Sequence, residues 1–125
     1  MKSNRGLYWL ATVSTVLVVD SSRPIWWHIL VVIVPPEVEH SNTTFLWITD
    51  QDNGDDAVPD ALNYNILIAA DIAIQTKTIG AALFQIPNQS IRFSEDPLNK
   101  GRSEDGINAF TWWKWLNDPN TTPEW

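Results

Sequence analysis

The chain has 125 residues, 44% of them hydrophobic, and a formal net charge of −7. That is enough for one modest domain with a core of its own. It argues against binding a phosphate backbone, which needs clustered Lys and Arg, so no nucleic-acid partner is expected. With no cysteine there is no disulfide framework, thiolate metal site or thiol nucleophile; this does not fix the compartment, because many secreted domains lack disulfides.

Lys2 and Arg5 precede an apolar segment, residues 7–19, which imitates the first two regions of a signal peptide. Thr12, Ser14 and Thr15 interrupt it, and no small-x-small cleavage site follows. Its β-branched content favours a strand over residues 8–19. A polar turn, Asp20-Ser21-Ser22-Arg23-Pro24, leads to a second strand over residues 27–34, inside the run Arg23-Pro24-Ile25-Trp26-Trp27-His28-Ile29-Leu30-Val31-Val32-Ile33-Val34-Pro35. That run is too short for a membrane span, which takes about 20 apolar residues. Its proline boundaries and β-branched content predict a strand buried on both faces. The connection is short enough that the first two strands must pair antiparallel.

Pro35-Pro36 ends the second strand, and a polar loop leads to a third over residues 44–49. An acidic loop follows, Asp50-Gln51-Asp52-Asn53-Gly54-Asp55-Asp56, and then a helix expected to begin near Pro59. Leu62, Ile66, Ala69, Ala70 and Ala73 have helical spacing and form its apolar stripe. A fourth strand is expected over residues 79–86, stopped by Pro87. Ser103 is placed to cap a second helix whose first turn holds Glu104 and Asp105. Its expected buried face is Ile107, Phe110, Trp113 and Leu116, and Pro119 ends it. Two antiparallel strands followed by strand, helix, strand and helix imply an α/β fold with an open mixed sheet. The α/β-hydrolase fold begins in this order. Residues 1–125 are read as a single incomplete α/β-hydrolase-like domain, cut before the strand that would carry the nucleophile elbow.

Chemistry-bearing residues are sparse. No Gly-x-Ser-x-Gly elbow occurs. His28 reads as a hydrogen-bonded core histidine rather than a base, and His40 as a solvated loop residue. The acidic loop offers hard oxygen ligands, yet Gly54 falls at the fifth position and Ala61 at the twelfth, which departs from a calcium-binding EF-hand loop. No metal or cofactor is expected. In hydrolases of this architecture the loop after the third strand donates N–H groups to the oxyanion, which would make Gln51, Asp52 and Asn53 site residues. Asn88 and Gln89 follow the fourth strand, at the sheet edge where open α/β sheets bind ligands. Amides there also serve to tie down loop backbone.

Eight tryptophans fill a core or offer platforms for sugar or peptide, and Trp112, Trp113 and Trp115 cannot all point inward from one helix. Three Asn-x-Ser/Thr triplets begin at Asn42, Asn88 and Asn120. Asn42 and Asn120 lie in expected surface loops, which favours N-glycosylation there and a secretory route.

Taken in order, four stretches resemble the PhoPQ-activated pathogenicity-related proteins, whose eukaryotic relatives include the autocrine proliferation repressor A type. They are Arg23-Pro24-Ile25-Trp26-Trp27-His28 with Val31-Val32-Ile33-Val34-Pro35; Phe45 to Thr49 with Asn53; Gly80 through Pro87-Asn88-Gln89 to Phe93; and Arg102-Ser103-Glu104-Asp105 before a Trp-containing helix. The resemblance implies an α/β-hydrolase-like fold in a longer, secreted or envelope-associated protein, with its serine elbow downstream. The chain departs from the expected Gly-Gly-x-Asn loop, having Asp50-Gln51-Asp52-Asn53, so only Asn53 carries over. The residues therefore point first to the N-terminal part of a hydrolase-like protein, whose missing C-terminal half is the expected partner. A non-enzymatic signalling or binding protein on the same scaffold is the second reading, and a calcium- or glycan-binding module the third. The sequence specifies no small-molecule, peptide or cell-surface partner.

Overall fold

The computed structural model describes the backbone of residues 7–16 and all atoms of residues 21–52, 54, 57–118 and 120. Its elements are β1 (Leu7–Val16), β2 (Ile25–Val34), β3 (Thr44–Ile48), α1 (Tyr64–Thr76), β4 (Ile79–Leu83) and α2 (Glu104–Asn117). They form a mixed four-stranded sheet in the order β1-β2-β4-β3. β1 and β2 pair antiparallel from Leu7↔Val34 to Val16↔Ile25, as the short connection between them requires. β4 inserts between β2 and β3, antiparallel to the first and parallel to the second.

The apolar pattern of β2 splits between the two faces. Ile29, Val31 and Ile33 are buried and form one core with Ala82 and Phe84 and with Ile66, Ala69 and Ala73 of α1. The two helical alanines let α1 sit close to the sheet. Leu30, Val32 and Val34 on the other face are only half-buried, so β2 is not enclosed on both faces as its sequence suggests. The reason is coverage: α1 lies over one face alone. Trp27 packs into the α1 core, whereas Trp26 packs against a second cluster of Ile91, Phe93, Ile107 and Phe110. Consecutive strand residues point to opposite faces, so α2 and α1 belong to opposite sides of the sheet. Between Trp26 and the β3 edge, the α2 side remains an open apolar trough lined by Leu30, Leu46, Ala81 and Leu83.

One helix and one strand depart from their expected limits for local reasons, whereas α2 runs from Glu104 to Asn117, between Ser103 and Pro119 as expected. α1 begins at Tyr64 rather than near Pro59. Asp60 Oδ1 accepts from Leu62 N at 2.7 Å and Asn63 Oδ1 from Asn65 N at 2.9 Å. These side chains satisfy the backbone in a turn and postpone the helix; Leu62, outside it, is exposed. β4 ends at Leu83 rather than at residue 86 because Gln85 adopts a φ of 65°, which turns the chain out of the extended conformation.

α2 buries Ile107 and Phe110, while Trp113 and Leu116, also expected inside, are exposed together with Trp112 and Trp115. The cluster under α2 reaches only its first half. Phe93 stacks on Phe110 with centroids 4.8 Å apart, and the Arg102 guanidinium lies 4.9 Å from the same ring. Arg102 also forks onto Asp96, with Nε donating to Oδ2 and an Nη to Oδ1, both at 2.8 Å. That hydrogen bonding outweighs the effect of burial and, with the Leu98 N–H, holds the Asp96 carboxyl down at about 2.

Candidate functional site

The chain leaves β3 towards α1 on one face of the sheet and leaves β4 towards α2 on the other. Where neighbouring parallel strands send their connections to opposite faces, a crevice opens at the strands' carboxyl ends, and open α/β sheets bind ligands there. The β3–β4 pairing continues past both strands. Thr49 N donates to Leu83 O at 2.8 Å and Ile86 N to Thr49 O at 3.2 Å. A parallel bridge then joins Asp52 to Gln89. The two loops singled out in the sequence thus meet, although 37 positions separate the bridged residues (89 − 52).

Beside this junction lies a cleft of about 440 Å³. Its walls are Gln51, Asp52, residues 57–60 and Asn63, and its floor is Ile29, Phe84 and Gln85. Gln51 and Asp52 are therefore brought to the cleft. Gln51 has a φ of 114°, a region that favours glycine. It stands where the resemblance led us to expect glycine, so the backbone keeps a glycine-type shape with a different side chain. Asp52 Oδ1 accepts from Gly54 N at 2.8 Å, which shapes the loop. The charged lining groups are Asp52 and Asp60, both carboxylates, so the cleft favours positive or neutral groups over a developing anion.

Asn88 and Gln89 are not among the residues that line this cleft. Asn88 is 1% exposed. Gln89 Oε1 accepts from Glu104 N at 2.8 Å, at the start of α2. Ser103 is the capping residue of that helix, yet its side chain makes no capping bond. Gln89 thus does the work assigned to Ser103, and its amide oxygen ties the loop after β4 to the start of α2. Asn53 lies outside the described residues, as do Asp55 and Asp56, on which the calcium reading partly rested. Among the described residues no group of three or more His, Asp or Glu side chains converges on one point.

His28 is buried at 6% exposure, with its ring edge-on to Trp26 at 6.3 Å between centroids. It is a core histidine as expected, and its Nδ1 has no hydrogen-bond partner among the described residues. It lies on the α2 side of β2, whereas Ile29, the β2 residue that lines the cleft, faces α1. His40 is exposed in the β2–β3 loop. Asn42 and Asn120 are both exposed. Sequence reasoning missed Asp60 and Asn63 as cleft residues. Their signal was present in the Asp-x-x-Asn spacing, which marks a side-chain-stabilised turn before a helix.

Comparison with known proteins agrees with the quoted stretches. A sequence profile described as PhoPQ-activated pathogenicity-related protein matches residues 12–125. The chain belongs to that family. Within it, the chain is similar to "Autocrine proliferation repressor protein A" of Dictyostelium discoideum, with 31% identity over 114 residues. The match covers 91% of this chain and 22% of that relative, so the chain spans about a fifth of the relative's length. No solved structure matches the chain. No helix among the described residues is long and apolar enough to cross a membrane.

Proposed function

We propose that this chain is the N-terminal part of a secreted protein built on an α/β-hydrolase scaffold, and that it carries no complete catalytic site by itself. The observation behind this reading is the sheet order β1-β2-β4-β3 with α1 and α2 on opposite faces. Crossovers between parallel strands in one sheet are right-handed in nearly all proteins. The crossover through α1 steps from β3 to β4, towards β2. A crossover of the same hand through α2, on the other face, steps the opposite way and delivers the next strand to the outer edge of β3. In α/β-hydrolases that next strand carries the nucleophile serine on its turn into a helix. The elbow would then stand beside Gln51 and Asp52, whose loop is the one that supplies oxyanion donors in that fold. Leu46 and Ile48, exposed on β3, are apolar as a strand awaiting further layers requires.

The test is an esterase and aminopeptidase assay on this chain and on the longest product of its gene. The chain alone is expected to be inert. Turnover by the 125 residues, abolished by a serine-directed inhibitor, would overturn the proposal.

A second reading, a secreted signalling or binding protein that uses the scaffold without chemistry, is favoured by one feature. The loop after β3 has Asp50 and Asp52 where a developing oxyanion would need donors and positive potential. The relative's name, a repressor of proliferation, agrees with such a role. An inert longest product that still slows proliferation when added to cells would favour this reading over the enzyme.

A further inference from the structure

Three Asn-x-Ser/Thr triplets occur in the chain, and the fold treats them differently. Asn88 is 1% exposed beneath the junction of the two carboxyl-end loops. A glycan on its side-chain nitrogen would have to pass through packed protein. Asn42 is the opposite case. It is exposed in a turn closed by a hydrogen bond from Thr43 N to His40 O at 3.2 Å. Its Oδ1 accepts from Thr43 Oγ1 at 3.4 Å, and no described group accepts from its Nδ2. The third residue of the triplet, Thr44, is a threonine at the exposed start of β3, where its Oγ1 donates to Ile79 O at 2.7 Å.

The turn also stands on a fixed base. Lys77, at the left-handed end of α1, accepts at its carbonyl from Glu39 N at 3.0 Å and from His40 N at 3.3 Å. Its ammonium pairs with Glu37 and Glu39. A bulky polar group on Asn42 therefore has solvent on one side and an anchored loop on the other, with no core contact to give up. From Asn42 the chain runs the whole length of β3, 5 residues or about 16 Å at roughly 3.3 Å per residue, before it reaches the cleft at Gln51 and Asp52. A glycan there leaves the cleft open.

We propose that Asn42 carries an N-linked glycan and that Asn88, despite its triplet, carries none in the folded protein. The proposal rests on the secretory route included in the reading above. Forced entry separates the two: the full chain is placed behind a heterologous signal sequence in glycosylation-competent eukaryotic cells, together with a control protein of known occupancy. Secreted material is treated with an amidase that converts each glycosylated Asn to Asp, and the conversion is mapped by mass spectrometry. Conversion is expected at Asn42 and absent at Asn88. Asn42→Gln in an Asn120→Gln background should remove the remaining mobility shift completely, whereas Asn88→Gln should change nothing. Because occupancy is mapped on the unaltered chain, the result does not depend on any variant folding. An unmodified Asn42 alongside a modified control overturns the proposal, and so does a modified Asn88 in the secreted pool. Asn42 occupied after forced entry, with the native protein found inside the cell, would instead defeat the secretory reading alone.

Discussion

Exchanging Gln89 for alanine is expected to weaken the start of α2, and exchanging Ser103 for alanine is not. By position and residue type Ser103 is the helix cap, yet its hydroxyl makes no bond to the first turn. The acceptor for Glu104 N is Gln89 Oε1 at 2.8 Å, fifteen residues earlier. Loss of a capping acceptor costs about 0.5–2 kcal/mol, and this exposed site should sit near the middle, about 1 kcal/mol. That corresponds to about a fivefold change in the opening equilibrium of the first turn. Amide hydrogen exchange at Glu104 N–H reads it locally: about fivefold faster in Gln89→Ala and unchanged in Ser103→Ala. Urea unfolding followed by tryptophan fluorescence gives the global counterpart, since Trp26 packs against the α2 cluster. A loss of about 1 kcal/mol in Ser103→Ala with none in Gln89→Ala would refute the reasoning and restore the local cap.

Four further outcomes are expected. In Gly80→Ala the new Cβ would lie 2.3 Å from Phe45 Cζ and 2.4 Å from Cε1, so the ring must move; urea titration should show a loss of about 1–3 kcal/mol, smaller in a Phe45→Leu background. Gln51→Gly should raise stability by about 1 kcal/mol, because glycine takes a φ of 114° without strain; an unchanged or lower unfolding midpoint would mean that the side chain has a packing role. Asp96 is held at about 2 against an ordinary 3.8, so its ion pair stabilises the fold fully above that ordinary value. The contribution is lost as pH falls from about 4 through 2, and near-UV circular dichroism should show Asp96→Asn to be less stable at neutral pH and flatter across that window. Finally, Leu46→Lys with Ile48→Lys should leave the unfolding free energy of this chain within about 1 kcal/mol, since both side chains are exposed, while lowering its aggregation by light scattering.

The sequence by itself determined the kind and order of the elements, the antiparallel pairing of β1 and β2, and the family. Those depend on short-range rules: β-branched runs, helical spacing in Ile66, Ala69 and Ala73, and connections too short for a crossover. The start of α1 was also written locally, in Asp60 and Asn63. What the tertiary structure decided is which distant pieces meet. β4 inserts between β2 and β3, and that single placement carries the loop after β4 to the loop after β3, bridging Asp52 and Gln89. It also buries Asn88, hands the α2 cap to Gln89, and leaves Leu30, Val32 and Val34 on one face of β2 only half-buried where its apolar run suggested enclosure on both. No local pattern encodes these outcomes, because burial and capping depend on what else occupies the space. The chain's apolar residues specify that they be covered; the topology specifies by what.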